Sequence, residues 1–119
     1  MTPAERPAPN ADASPDALRR TLLVLRAQAG DEAAFGELMQ RFGDATLRYL
    51  RGLVGDDAED LFQDTWLAVY RQLATLHDPS AFPVWLFRTA RHRAFNWLRR
   101  HRRERELLAV VVSRSNDCH

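Results

Sequence analysis

The side chains of strongest chemical character are the arginines between positions 88 and 105, where eight Arg and one Glu give a net charge of +7. Trp85, His92 and Asn96 fall on the same side as Arg88 when this stretch is drawn as a helix of about 100° per residue. Guanidinium groups bind phosphates, and aromatic rings stack on unpaired bases. The pattern therefore predicts a nucleic-acid-binding helix over residues 81–105.

A second charged stretch lies between positions 56 and 64, where four Asp and one Glu give a net charge of −5. Leu67 falls among Asp60, Asp64 and Arg71 on one side of a helix. A large apolar side chain ringed by charges indicates a protein-binding patch, although acids at a helix start are also typical of a solvated surface. Because the whole chain carries a formal net charge of only +1, it is the separation of charge that is informative, and it indicates either two differently charged working surfaces or one internal clamp.

Catalytic chemistry is not indicated by the motifs of this chain. There is no glycine-rich phosphate loop, nucleophile elbow or HExxH motif. His92 and His101 lie on different helical faces, and Cys118 with His119 provides too few ligands for zinc. The sequence therefore predicts a protein that is not an enzyme and has no metal or cofactor. Without a signal peptide or an apolar run of about 20 residues, it also predicts a soluble cytoplasmic protein with no membrane partner.

The apolar periodicity predicts an all-α fold, a compact bundle of about four helices. Three parts of the chain are expected: a disordered Pro/Ala-rich leader over 1–13, a helical domain over 14–106, and a short tail over 107–119. The apolar run 107–112 is compatible with a last helical turn, a strand that pairs with another chain, or a sticky tail.

Local signals predict where the helices begin and end. Ser14 and Pro15 are typical of a helix start, and Gly30 and Gly55 of helix ends. Residues 56–59 resemble a capping box. The four helices are predicted over about 14–29, 32–54, 58–76 and 81–105, and the core stripe of the first consists of Leu18, Leu22, Leu25 and Ala29.

Over about residues 30–104 the chain resembles region 2 of bacterial RNA polymerase sigma factors of the extracytoplasmic-function group. The resemblance is carried by motifs in a fixed order and spacing, namely Ala58-Glu59-Asp60-Leu61, Gln63-Asp64-Thr65-Trp66, Trp85-Leu86, Ala90-Arg91 and Leu98-Arg99-Arg100. It implies a region-2 helical bundle and a transcription-initiation factor that binds core RNA polymerase and recognises and melts the promoter minus-ten element.

The resemblance also implies residue roles. The acidic helix would dock on the clamp helices of the largest polymerase subunit through Asp60, Gln63, Asp64, Leu67 and Arg71. The loop 76–82 would form a pocket for a base extruded from the stack, and the basic helix would hold the non-template strand. The DNA-binding residues are expected to be Leu76, His77, Phe82, Trp85, Arg88, Thr89, His92, Asn96, Arg99, Arg100 and Arg103.

The chain departs from the family pattern at two positions near the bases. His92 stands where the family usually has Asn, and Asn96 where it usually has Asp, so promoter preference does not carry over. Family members also have a C-terminal helix-turn-helix domain that binds the minus-thirty-five element, and these 119 residues could be an excised domain, a truncated product or a protein that works with region 2 alone.

Two other functions remain open. One is a sigma-like interaction module that binds polymerase or an anti-sigma factor without supporting initiation. The other is a generic basic helical DNA-binding protein unrelated to polymerase.

Overall fold

A computed structural model describes the backbone of residues 14–117 and the side chains of residues 14–112. Four α-helices follow one another: α1 (Pro15–Gln28), α2 (Glu32–Val54), α3 (Ala58–Gln72) and α4 (Phe82–Asp117). Short 3-10 turns occupy Gly55–Asp57, Leu73–Thr75 and Pro79–Ala81. The prediction of an all-α fold is confirmed for the described part of the chain, which contains no strand. The predicted leader, 1–13, lies outside it.

The ends of the first two helices follow the local sequence. The Ser14 hydroxyl accepts a hydrogen bond from the Ala17 amide at 3.1 Å, and Pro15 occupies the first turn of α1. Asp31 caps α2 in the same way, accepting from the Ala34 amide at 3.2 Å. Gly30 and Gly55 have φ of 99° and 69°, a region that disfavours residues with a Cβ, so both helices stop where predicted.

The start of α3 differs from the predicted capping box. Asp56 and Asp57 lie in a 3-10 turn, and Asp57 makes no side-chain cap hydrogen bond. The Glu59 carboxylate instead lies 3.7 Å from the Arg51 guanidinium of α2. The acidic side chains at this end of α3 therefore interact favourably with the helix dipole but do not form the two hydrogen bonds of a capping box.

Two groups of buried side chains form the core. One joins α1, α2, α3 and the start of α4 through Leu23, Val24, Ala34, Leu38, Trp66, Val69, Leu73, Phe82 and Leu86. The other joins α2, α3 and the middle of α4 through Leu50, Ala58, Leu61, Ala90 and Ala94. Helix α4 thus contributes to both groups.

The predicted core stripe of α1 is wrong. Leu18, Leu22 and Leu25 are exposed, whereas Leu23 and Val24 are buried. The run Leu22–Leu25 is apolar at four consecutive positions, so it offers two possible inner faces. Packing of α1 on α2 and on the turns that follow α3 selects the other face.

Helix α4 is longer than predicted and makes the molecule elongated rather than compact. It continues through the apolar run 107–112 to Asp117, and the described residues extend over 78 × 40 × 23 Å. Of the alternatives for that run, the structure contains the helix, with the apolar side chains of 107–112 exposed. None of the described helices is both long enough and apolar enough to cross a membrane.

Adjacent leucines provide a test of which face of α1 is buried. Leu23 is 6% exposed and Leu22 is 48% exposed. We expect Leu23→Ala to lower the free energy of unfolding by about 2–5 kcal/mol, because it removes buried apolar contacts and leaves a cavity. The matched variant Leu22→Ala should cost less than about 1 kcal/mol. Urea denaturation followed by circular dichroism measures both, and a reversed order would contradict the observed rotation of α1.

Candidate functional site

The outward side of α4 carries most of the predicted nucleic-acid-binding residues. Leu86, Ala90 and Ala94 are fully buried and fix which side of the helix faces the bundle. The opposite side is exposed and carries Arg88, His92, Asn96, Arg99 and Arg103, whereas Arg100 is exposed but lies nearer the side that faces the bundle. The predicted division of α4 into a core side and a polar side therefore agrees with the structure at these positions.

Phe82 is an exception among the predicted DNA-binding residues. Its side chain is fully buried, and its ring centroid lies 5.4 Å from that of Phe42 in a tilted edge contact. Phe82 therefore supports the loop from inside and presents no surface to a nucleic acid. The sequence did not reveal this, because the residue begins α4 at the end of a polar loop.

Three further predicted residues are only partly accessible. Trp85 is half-buried, and its ring centroid lies 6.0 Å from that of Phe82. Leu76 is half-buried against the same apolar group. The Thr89 hydroxyl donates to the Trp85 carbonyl at 2.9 Å, so its hydrogen is engaged within the helix. Only a part of each of these three side chains is therefore accessible at the surface.

Both ends of the loop between α3 and α4 are held by side chains. The Gln28 amide of α1 donates to the carbonyls of Leu73 and Leu76 at 3.0 and 2.9 Å. At the other end, the Asp78 carboxylate accepts from the Ser80 amide at 3.0 Å and from its hydroxyl at 2.6 Å. His77 lies exposed between these two anchors. The loop predicted to hold an extruded base is thus positioned by hydrogen bonds.

Gln28 was missed by the sequence analysis. Its partners lie 45 and 48 residues further along the chain, and they are backbone carbonyls, which carry no sequence signal. A glutamine as the last residue of a helix is not distinctive in itself. Only the packing of α1 beside the loop reveals its role.

The predicted protein-binding patch forms one exposed surface on α3. It comprises Asp60, Gln63, Asp64, Leu67 and Arg71, none of which is buried. Leu67 is 47% exposed, and the neighbouring Tyr70, which the sequence analysis did not include, is 54% exposed. Tyr70 packs edge-on against Phe35 with centroids 5.1 Å apart. An apolar residue three positions after Leu67 is the helical signal that could have identified it.

An ion pair joins the acidic and basic surfaces. The Arg93 guanidinium of α4 lies 3.3 Å from the Asp64 carboxylate of α3. The two side chains adjoin a groove of about 380 Å³ that is also lined by Asn96, Arg99, Arg100 and Arg103. Four guanidinium groups around one carboxylate leave this groove strongly positive, which suits a phosphate.

Asn96 is further engaged with a neighbouring cation. Its side-chain oxygen accepts a hydrogen bond from the Arg99 guanidinium one turn later on α4. This contact orients Arg99 and leaves the Asn96 amide hydrogens free to donate.

Among the described residues, no group of three or more His, Cys, Asp and Glu side chains converges as a metal site would require.

Comparison with known proteins identifies the family. A family model described as Sigma-70 region 2 matches residues 38–104. The RNA polymerase sigma factor NccH of Alcaligenes xylosoxydans xylosoxydans is 38% identical over 88 residues, covering 72% of this chain and 47% of that protein. The ECF RNA polymerase sigma factor BldN of Streptomyces coelicolor is 39% identical over 83 residues, covering 67% of this chain and 31% of that protein.

A solved structure has a similar fold and a related sequence. It is an NMR structure of an engineered region 2 of sigmaE in complex with GTAAAA, with a TM-score of 0.67 and 30% identity. The match covers 71% of this chain and 90% of that one.

Because the family model matches more than half of the residues of this chain, the chain belongs to the sigma-70 region 2 family. It is a region 2 of the extracytoplasmic-function group, as its relatives and the sigmaE structure indicate. The resemblance predicted from the sequence is confirmed. The chain spans less than half of the length of the curated relatives it matches, 47% of NccH and 31% of BldN.

The Gln28 anchor can be tested with a side chain of similar length that lacks hydrogen-bond donors. We expect Gln28→Met to cost about 1–3 kcal/mol of stability, because the carbonyls of Leu73 and Leu76 lose their donor. Amide hydrogen exchange in residues 76–81 should accelerate more than exchange in α2. The control Gln40→Met alters an exposed glutamine of α2 and should change neither quantity. Unchanged loop exchange in Gln28→Met would show that the loop is held by other contacts.

Proposed function

We propose that this chain acts as the region 2 of a sigma factor, binding core RNA polymerase through α3 and the melted minus-ten element through α4 and the preceding loop. The observation that carries the proposal is the pair of oppositely charged exposed surfaces on adjacent helices of a region-2 fold. The related sigmaE region 2 was solved in complex with the short nucleic acid GTAAAA. We further infer a non-enzymatic protein that acts in the cytoplasm.

The DNA-binding part of the proposal has two physically distinct sections. Residues 76–96 include a loop that is fixed by Gln28 and Asp78, followed by exposed polar groups and the partly exposed Trp85, which suits unpaired bases. Arg99, Arg100 and Arg103 supply charge for the phosphates of the non-template strand. His92 and Asn96 lie exposed between these sections, so we propose that they set the promoter preference.

The polymerase-binding part rests on the exposed surface of α3. Leu67 provides apolar area at its centre and Tyr70 at its edge, and Asp60, Gln63, Asp64 and Arg71 provide polar and charged groups around Leu67. Apolar and aromatic groups surrounded by polar ones are typical of protein interfaces. We propose the clamp helices of the largest polymerase subunit as the partner. Docking there would also raise the local concentration of a weak DNA-binding surface near the promoter.

A sigma-like module that occupies polymerase or an anti-sigma factor without supporting initiation would use the same α3 surface. Run-off transcription with core polymerase separates the two functions. A transcript that depends on this chain supports an initiation factor. Polymerase binding without a transcript supports the interaction module.

Reversing one charge on α3 tests the docking surface. We expect Asp60→Arg to abolish retention of core polymerase in a pull-down, because it places a cation within an acidic rim. Asp60 is preferable to Asp64 because Asp64 also pairs with Arg93 inside the chain. Asp44→Arg makes the same charge change at an exposed position of α2 and should retain polymerase. Equal retention by both variants would exclude this surface from docking.

Neutralising arginines at the end of α4 tests phosphate binding. In fluorescence anisotropy, Arg100→Gln and Arg103→Gln should each lower the slope of log affinity against log salt by about 0.7 for a single strand. Arg48→Gln, on α2, is the control and should leave the slope unchanged. The wild-type chain should prefer single-stranded over duplex minus-ten DNA. Equal binding of both forms would instead favour a generic basic DNA-binding protein.

A further inference from the structure

Phe95 is an exposed aromatic residue on the basic side of α4 that none of the roles above uses. It is 41% exposed, although the adjacent Ala94 is fully buried. The Arg91 guanidinium lies 5.1 Å from the centroid of its ring, at a distance typical of a cation–π contact. Such a contact holds the ring in a defined orientation at the surface. Phe95 is therefore a fixed aromatic platform rather than part of the core.

The surroundings of Phe95 form an open, shallow groove between side chains of α4 on its outer side. Its lining contains an aromatic ring, polar groups and three guanidinium groups but no carboxylate, and consists of His92, Phe95, Asn96, Leu98, Arg99, Arg102 and Arg105. The ion pairs within the described part of the chain involve none of these arginines. Cations that are left without an acidic partner beside an exposed ring are complementary to an aromatic anion.

We propose that this groove binds one further unpaired nucleotide, whose base packs on the Phe95 ring while Arg99 and Arg102 contact the adjoining phosphates. The proposal rests on the proposed function, because it extends the same strand towards the C-terminal end of α4. His92, Asn96 and Arg99 belong both to the groove and to the predicted strand path, so the two are continuous. No bond is made or broken in this step.

A nucleic acid fits the groove better than an apolar protein segment does. Phe95 and the half-buried Leu98 are its only large apolar members, and its three arginines would lose hydration against an apolar partner without gaining a counter-charge. A nucleotide supplies both a planar apolar base and a phosphate. Because every base has a flat face that can stack on an aromatic ring, the subsite accepts any base and has no sequence preference.

The test is fluorescence anisotropy of the full 119-residue chain with a thymidine-flanked GTAAAA strand and an all-thymidine strand. We expect Phe95→Leu to weaken binding by about tenfold, and Phe95→Trp to bind at least as tightly as the wild type. An abasic nucleotide is then moved along the strand. At one position it should weaken binding by the wild type but not by Phe95→Leu, because the ring and the base are each needed for the same contact.

One control variant and two further measurements distinguish the loss of a nucleotide contact from a general loss of folding or binding. Leu108→Ala removes another exposed apolar side chain of α4, outside the groove, and should leave strand binding unchanged. Thermal unfolding of Phe95→Leu should match that of the wild type, because the ring is not in the core. Polymerase retention in the pull-down should also be unchanged.

Unchanged strand binding by Phe95→Leu, or abasic effects of the same size in wild type and variant, would overturn the nucleotide subsite and leave the proposed function intact. Loss of polymerase retention with unchanged strand binding would assign the groove to a protein contact and also overturn it. If the wild-type chain binds neither strand, both this inference and the DNA-binding part of the proposed function fail.

Discussion

The buried stripe of Leu86, Ala90 and Ala94 fixes the rotation of α4, and the basic surface and its ion pair with the acidic surface depend on that rotation. Two alanines let α4 approach α2 and α3 closely, so the helix has little freedom to turn about its axis. Its opposite side is then exposed along the whole length of the bundle. The same rotation brings Arg93 to Asp64, so the basic helix and the acidic helix meet along one edge.

The loop before α4 depends on this packing as well. Phe82 is buried against Phe42 and fixes where α4 begins, while Gln28 holds the two carbonyls at the start of the loop. The loop is thus attached at one end to α1 and at the other to the core. If the loop receives an extruded base, as proposed, such anchoring lowers the conformational entropy lost on binding. Position 82, which was predicted to contact DNA, is instead part of the core that anchors the loop.

Elements governed by local chemistry could be predicted from the sequence, and long-range arrangements could not. Ser14, Asp31, Gly30 and Gly55 act on neighbouring backbone groups, so their roles were visible in the chain itself. The inner face of α1 could not be predicted, because four consecutive apolar residues are compatible with two rotations of the helix. Only packing against the neighbouring elements determines which rotation is adopted. The hydrogen bonds of Gln28 and the burial of Phe82 could not be predicted either, since each depends on residues far away in the sequence. The exposed surface of α3 followed from periodicity, whereas the periodicity assigned Tyr70 and Phe95 to neither a core face nor a binding surface.

The charge of α4 links its structure to its ligand. Arginines three and four residues apart repel each other along 99–105, and this segment lies beyond the fully buried residues of the helix. Trp97, half-buried against the core, stacks on His101 with ring centroids 4.6 Å apart and carries the packing one turn further. Past that turn the helix has few tertiary contacts to offset the repulsion. Phosphates along this side would reduce it, so the proposed strand binding would be thermodynamically coupled to the stability of this end of α4.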